Sequence, residues 1–260
     1  MLKLENVTRQ FGGLLALDGV DMHVPQGKIV GLIGPNGAGK TTIINNISGL
    51  DHPTRGTITF DGHPIHNASP HRITRLGIAR TYQNIRLFGE MTTHQNLLIG
   101  QHGRGHATLL ESIFFLPRFL QEERDLARRA DELLTRFELS DEAETRAGNL
   151  PYGDQRRLEM ARALATDPKL ILLDEPTAGM NPTETRALGE QILRLREAGI
   201  TVLVIEHDMS LIHQVCDYVY VLNFGYIIAH DEPDAIRNNP DVIEAYLGKE
   251  DDDNPASLFI

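Results

Sequence analysis

Nine consecutive residues constrain this chain more than any others: Gly34-Pro35-Asn36-Gly37-Ala38-Gly39-Lys40-Thr41-Thr42. They follow the pattern glycine, four variable residues, glycine, lysine, then serine or threonine. The glycines let successive backbone N–H groups converge on an anion. Lys40 is spaced to reach the terminal phosphates of a nucleotide, and the Thr41 hydroxyl to ligate Mg²⁺. The flanks agree. Residues 28–33 form an apolar, β-branched run that reads as a buried strand. Residues 42–47 read as a helix closed by Ser48-Gly49. A strand, a glycine loop and a helix N-terminus together make an anion site.

Composition bounds the rest. A chain of 260 residues, 41% hydrophobic, can build one large domain or two small ones with a substantial core. Nowhere do eighteen apolar residues run together. The greasiest segment, residues 113–120, is interrupted by Pro117 and Arg118 and is too short to span a bilayer. Residues 1–5 lack the apolar core of a secretory leader. Cys216 is the single cysteine, which excludes an intrachain disulfide and a thiolate zinc site and fits a reducing compartment. His102 and His106 are four apart, but Gly103 and Gly105 argue for a polar loop rather than a metal-binding helix. The net charge of −11 argues against a nucleic-acid surface. Part of that charge lies in Glu250-Asp251-Asp252-Asp253, which reads as a solvated tail.

The pattern changes along the chain. Residues 1–27 alternate as strands, with turns at Gly12-Gly13 and Pro25-Gln26-Gly27, and residues 56–62 add another strand. These predict an antiparallel sheet beside a parallel one. Residues 84–165 read instead as an inserted helical subdomain, with Leu126, Ala130, Leu133, Leu134 and Phe137 on one helical stripe. Residues 169–173 and 201–205 are buried strands. Between them, Asn181-Pro182-Thr183-Glu184 reads as a capped helix start, and that helix ends near Ala198-Gly199. A hairpin is expected around Asn223-Phe224-Gly225. Alternating strands and helices predict a mostly parallel sheet.

Hydrolysis needs a metal, an oriented water and a γ-phosphate sensor besides the phosphate loop. Strand 170–173 runs into Asp174-Glu175-Pro176, and ligands of α/β sheets bind at the carboxyl ends of strands. Asp174 suits the Mg²⁺ shell. Glu175 suits a general base or water positioner. Strand 201–205 ends in Glu206-His207-Asp208 on the same rim, where His207 is suited to contact a γ-phosphate oxygen.

In order and spacing these segments resemble the ATP-binding subunits of ABC transporters, over nearly the whole chain. The resemblance implies an α/β fold: a P-loop (RecA-like), mostly parallel core with a flanking antiparallel β subdomain and an inserted α-helical subdomain. The core would be residues 1–83 and 166–232 and the helical subdomain 84–165, with a helical extension at 233–248 and an acidic tail at 249–260. It implies that Phe11 stacks on adenine and that Gln83 contacts Mg²⁺ or the water and faces the membrane subunit, with residues 84–91 lining the groove beside it. Residues 150–157, Leu-Pro-Tyr-Gly-Asp-Gln-Arg-Arg, occupy the place of the family's signature loop, just before a helix expected at 158–165. This loop departs from the usual Leu-Ser-Gly-Gly-Gln. Pro151 replaces a serine and offers neither hydroxyl nor N–H, Tyr152 replaces a glycine, and Asp154 the glutamine. Gly153 is kept. Asn181 stands where an aspartate is common.

Residues 11–17, 152–159, 206–209 and 237–248 are similar to those of branched-chain amino acid importer ATPases. That likeness implies ATP and Mg²⁺ as ligands and a head-to-tail dimer, with this chain or a similar sister supplying Tyr152, Gly153 and Asp154 in trans. It also implies transmembrane permease subunits, an indirect link to a solute-binding protein, and a peripheral place on the cytoplasmic face of the inner or plasma membrane. Three alternatives stay open on sequence alone: the ATPase of a lipopolysaccharide or lipid exporter, a soluble ABC ATPase of DNA repair or translation, and a nucleotide-binding regulator without turnover.

Overall fold

Five residues in a row that are buried on both faces need cover on both sides, which a parallel sheet between layers supplies. Three segments meet that condition: Ile29–Ile33 (β3), Leu170–Asp174 (β7) and Thr201–Ile205 (β8), buried throughout. In the computed structural model, which describes residues 1–101 and 117–247, they form the middle of a six-stranded sheet of order β10-β9-β3-β8-β7-β6. The other members are Ile78–Arg80 (β6), Tyr218–Asn223 (β9) and Tyr226–Asp231 (β10). The pairs β3/β8, β3/β9, β7/β8 and β6/β7 are parallel, and only the hairpin strand β10 runs against its neighbour. In register, Leu32 faces Ile205 and Asp174 faces Ile205. The carboxyl ends of these strands therefore share one rim.

A second, four-stranded antiparallel sheet has the order β2-β1-β4-β5, from Leu2–Phe11 (β1), Leu14–Val24 (β2), Arg55–Phe60 (β4) and His63–Pro64 (β5). In β1 the buried positions Leu2, Leu4 and Val7 break strict alternation by one residue. Asn6 absorbs the slip: it is left-handed at φ 51°, and the register with β2 shifts between Leu4 and Val7. Such a bulge keeps all three side chains on the core face. Between the sheets, the helix Lys40–Ser48 (α1) buries Ile43, Ile44 and Ile47 in one cluster with Leu2, Leu4 and Phe60 on one side and Val30 and Leu32 on the other. The phosphate loop is thus anchored by a helix held on both faces.

The expected helix at Asn181 starts as its sequence indicates. The Asn181 side chain accepts from the Thr183 and Glu184 N–H groups at 2.9 and 3.0 Å, and Glu184 accepts from the Asn181 N–H at 2.9 Å. Pro182 opens the helix Pro182–Glu197. The reciprocal cap stabilises that start by about 1 kcal/mol. It also commits the Asn181 side chain to its own helix.

Backbone contacts divide the chain into two compact units, residues 1–83 with 169 onward, and Asn84–Pro168. The second contains the helices Thr93–Gln101, Pro117–Arg136 and Tyr152–Ala165. Of the expected stripe, Ala130, Leu134 and Phe137 are buried, while Leu126 and Leu133 are partly covered. One boundary is corrected. The last helix begins at Tyr152, not at residue 158, so the signature residues form its first turn rather than a preceding loop. Pro151, at φ −53° and ψ 151°, is the N-cap, and its carbonyl accepts from the Gln155 N–H at 3.0 Å. A proline costs nothing there, because the missing N–H would have no partner within the helix.

His102, His106, most of the apolar segment 113–120, Gly248 and the acidic tail lie outside the described residues. Among the described residues no helix is long and apolar enough to cross a membrane. The Cys216 thiol packs against Gly31. Burial, with the Asp217 charge adding to it, pushes its ionisation far above the usual thiol range. Little thiolate then exists at neutral pH. Iodoacetamide at pH 7.5 should leave Cys216 largely unmodified in the native protein and label it fully in denaturant. Rapid native labelling, read by intact mass, would contradict this environment.

Candidate functional site

The phosphate loop is built from backbone shapes that only glycine adopts without strain. Gly34, Gly37 and Gly39 have φ of 148°, 81° and 110°. A Cβ on Gly34 would lie 2.0 Å from the Leu222 carbonyl oxygen, whereas one on Gly37 would meet nothing within 4 Å. The loop is therefore packed on its β9 side and open at Gly37. No side chain caps α1 at Gly39, and its first turn holds no acid. The orphan N–H groups of such a turn are the natural donors to an anion. Lys40 is buried, and its ammonium donates to the Gly34 and Pro35 carbonyls at 2.6 and 3.0 Å. It is thus folded across the mouth of the loop formed by Gly34, Pro35, Asn36, Gly37 and Ala38. Thr41 is exposed and Thr42 half-buried beside it.

The two acids at the carboxyl end of β7, Asp174 and Glu175, have different surroundings. Asp174 pairs with Arg80 at 2.8 Å, both side chains nearly buried. Arg80 also donates to Asn45 at 2.7 Å and Ser48 at 2.9 Å on α1. One guanidinium thereby ties β6, β7 and the phosphate helix. Arg80→Met should lower stability by about 3 kcal/mol in chemical denaturation, because it leaves Asp174 buried without its counter-charge. A loss under about 1 kcal/mol would show that the pair is not structural.

Glu175 is held in the left-handed region at φ 47°. Such a conformation costs roughly 1–3 kcal/mol and persists only where neighbours impose it. Here its N–H donates to Ile205 at 2.9 Å, and its carboxylate accepts from the Gln83 amide nitrogen at 2.6 Å. The structure thus joins two residues that lie far apart in sequence. His207 follows β8 with its ring mostly exposed and its backbone N–H on the Glu206 carboxylate at 3.0 Å. Thr41, Gln83 and Asp174 each carry an oxygen donor, a hydroxyl, an amide carbonyl and a carboxylate, and hard oxygen donors of this kind suit Mg²⁺.

Phe11 ends β1 with about half its surface exposed, 45%. The Arg9 guanidinium lies 4.3 Å from the ring centroid, fixed by an ion pair to Asp51 at 2.6 Å. In the other compact unit, the Tyr152 hydroxyl accepts from Arg156 at 2.9 and 3.2 Å, and Asp154 pairs with Arg157 at 3.5 Å. Gly153 sits between them in the first helical turn. The sheet rim therefore gathers Lys40, Gln83, Asp174, Glu175 and His207 in one unit, while Tyr152, Gly153 and Asp154 belong to the other.

Sequence reasoning passed over Arg80, Thr177, Glu206 and Tyr246 as individual residues. Arg80 carried a faint signal, as a cation ending a short apolar strand. Glu206 carried a stronger one, as an acid directly after four buried apolar residues. Tyr246, in the helix Pro240–Leu247, had none. Its phenol is largely buried and faces the Gly34 backbone without closing a hydrogen bond, and burial pushes its ionisation up to about 12. A cavity of about 530 Å³ separates that helix from Pro35, Asn36 and Phe224.

Comparison with known proteins settles the family. The ABC transporter family model matches residues 17–178, more than half of the chain. The chain belongs to the ABC transporter family. A second family model, branched-chain amino acid ATP-binding cassette transporter, matches residues 227–252 of this ABC protein. The high-affinity branched-chain amino acid transport ATP-binding protein BraF of Pseudomonas aeruginosa is 46% identical over 96% of the chain and 98% of its own length. LivG of Escherichia coli K12, similarly described, is 44% identical with the same coverage. Among solved structures, an ATP-binding cassette of an ABC transporter in its ADP conformation is 36% identical, with a TM-score of 0.84 over 96% of this chain and 99% of that one. A dimeric cassette in a post-hydrolysis state bound to ADP and Pi is 28% identical, with a TM-score of 0.74 over 90% and 99%. The expected α/β cassette fold, with its parallel core and antiparallel sheet, is what these neighbours share.

Proposed function

We propose that this chain is the ATP-hydrolysing subunit of a membrane importer of branched-chain amino acids. The observation that carries the substrate class is the second model match at residues 227–252, a segment beyond the phosphate loop and the strand-end acids. Near-complete alignment with BraF and LivG supports it. The substrate itself would be chosen by a separate binding protein and permease.

The geometry supports the following roles. The loop N–H groups and Lys40 bind the β- and γ-phosphates, with Lys40 exchanging its carbonyl partners for phosphate oxygens. Thr41, Gln83 and Asp174 would hold Mg²⁺, which as a Lewis acid neutralises charge developing on the phosphates. Glu175, steadied by Gln83, accepts a proton from the attacking water. His207 donates to a γ-phosphate oxygen. Phe11 offers the ring face away from Arg9 to adenine. Tyr152, Gly153 and Asp154 of a second ATPase subunit complete the site. With Pro151 offering no donor, the first-turn N–H groups and the helix dipole are left to hold the γ-phosphate in trans. Permease subunits anchor the dimer at the cytoplasmic face of the membrane, and a solute-binding protein delivers the amino acid to them. The net charge of −11 weighs against nucleic acid as a partner.

Affinity purification of the tagged chain from solubilised membranes tests this. Two permease subunits should come with it, and leucine-loaded binding protein should raise the ATPase rate of that complex. Co-purification with a lipid-export permease, or with ribosomes or DNA, would replace the reading.

A further inference from the structure

Glu206 is fully buried, yet it is an acid. Its two carboxylate oxygens face two different loops. Oε1 accepts from the Thr177 backbone N–H at 2.9 Å and from the Thr177 hydroxyl at 2.6 Å. Oε2 accepts from the backbone N–H groups of His207 at 3.0 Å and Asp208 at 3.3 Å. A buried carboxylate is costly unless such donors surround it. Here every donor comes from one of the two segments that bear the catalytic groups. Thr177 lies two residues after Glu175, in the turn closed by the Ala178 N–H on the Glu175 carbonyl at 3.2 Å. His207 is the next residue, and Asp208 caps the following helix, accepting from Ser210 at 2.8 Å.

We infer that Glu206 is a positioning residue: a buried carboxylate clamp that fixes the Glu175 turn and the His207 loop to each other. It holds the left-handed Glu175 backbone from the far side of its turn and sets where the His207 ring projects. A displacement of His207 by the γ-phosphate is then passed through one carboxylate to Thr177 and on to residues 178–181. The inference rests on Glu175 and His207 acting on the γ-phosphate as proposed above.

Glutamine is the discriminating substitution. In Glu206→Gln one oxygen becomes an NH₂ group. Either orientation then sets donor against donor, at the Thr177 N–H in one and at the His207 and Asp208 N–H groups in the other. Thr177→Val removes only the hydroxyl bond and keeps the backbone one. Thr177→Ser keeps both.

The test uses the assembled transporter complex, with kcat, KM for ATP and thermal midpoint measured for each variant. Glu206→Gln should lower kcat about tenfold or more, with KM within about threefold, because misplacing a reacting group acts on the transition state. Thr177→Val should lower kcat about fivefold, Thr177→Ser should restore it to within about twofold, and the double variant should fall short of the product of the single effects. If the Glu206→Gln complex does not assemble, the Thr177 pair decides alone. The clamp is overturned if Glu206→Gln and Thr177→Val both keep kcat within about twofold while Glu175→Gln loses it, or if KM rises and kcat does not change. An unimpaired Glu175→Gln complex overturns the reading of the base instead.

Discussion

Glu175→Gln lowers ATP turnover of the assembled transporter about a hundredfold or more and leaves ATP affinity within about threefold. The substitution is conservative in shape. Glutamine can accept the same 2.6 Å bond from Gln83 through its amide oxygen. It adopts φ 47° no less readily than glutamate, and the Ile205 carbonyl still receives its N–H. What disappears is basicity. An amide cannot take a proton from water, so the loss falls on kcat. Turnover within about twofold of the parent would remove Glu175 from the mechanism.

Gly34→Ala acts on the fold of the loop rather than on its chemistry. The new methyl would lie 2.0 Å from the Leu222 carbonyl oxygen, well inside contact distance, and that oxygen is main chain at the end of β9. It cannot swing aside as a flexible side chain would. The backbone at φ 148° is also closed to alanine. Backbone strain and overpacking together should cost about 4 kcal/mol. The same shift moves the carbonyl that Lys40 now occupies, so ATP affinity should fall by about a hundredfold or more. Denaturant titration and equilibrium nucleotide binding measure the two effects. An alanine variant with parental stability and affinity would mean that the loop does not take this shape.

The phosphate loop and the buried strands were legible because each is written locally. Glycines, a lysine and a helix start fall at fixed spacings, and four or five apolar residues in a row between turn signals fit a strand buried on both faces of a parallel sheet. The cap at Asn181 was legible for the same reason, as Asn181, Thr183 and Glu184, within four residues of chain, supply all three of its hydrogen bonds. The start of the Tyr152 helix was not. A proline followed by Tyr-Gly-Asp reads as a loop, and only the Gln155-to-Pro151 bond shows the first turn closing there. Nor was the slip in β1 visible, since Asn6 absorbs it through a left-handed backbone rather than through any apolar pattern.

At the site, the strand-end polar groups Asp174, Glu175 and His207 were readable, but the partners of the acids were not. Arg80 meets Asp174, Gln83 meets Glu175, and Thr177 meets Glu206 across 94, 92 and 29 residues of chain. No periodicity encodes a contact of that separation. Resemblance assigned Gln83 a place near the metal or water. Its hydrogen bond to Glu175 is a result of the fold.

Coupling of ATP hydrolysis by this subunit to uptake of branched-chain amino acids is measured by leucine uptake into proteoliposomes that hold the reconstituted complex, with ATP on the side bearing this subunit and binding protein on the other. Uptake should require ATP and fall to background when the subunit carries Glu175→Gln. Leucine uptake that continues with Glu175→Gln, or is absent with the parent subunit while ATP is hydrolysed, would contradict it.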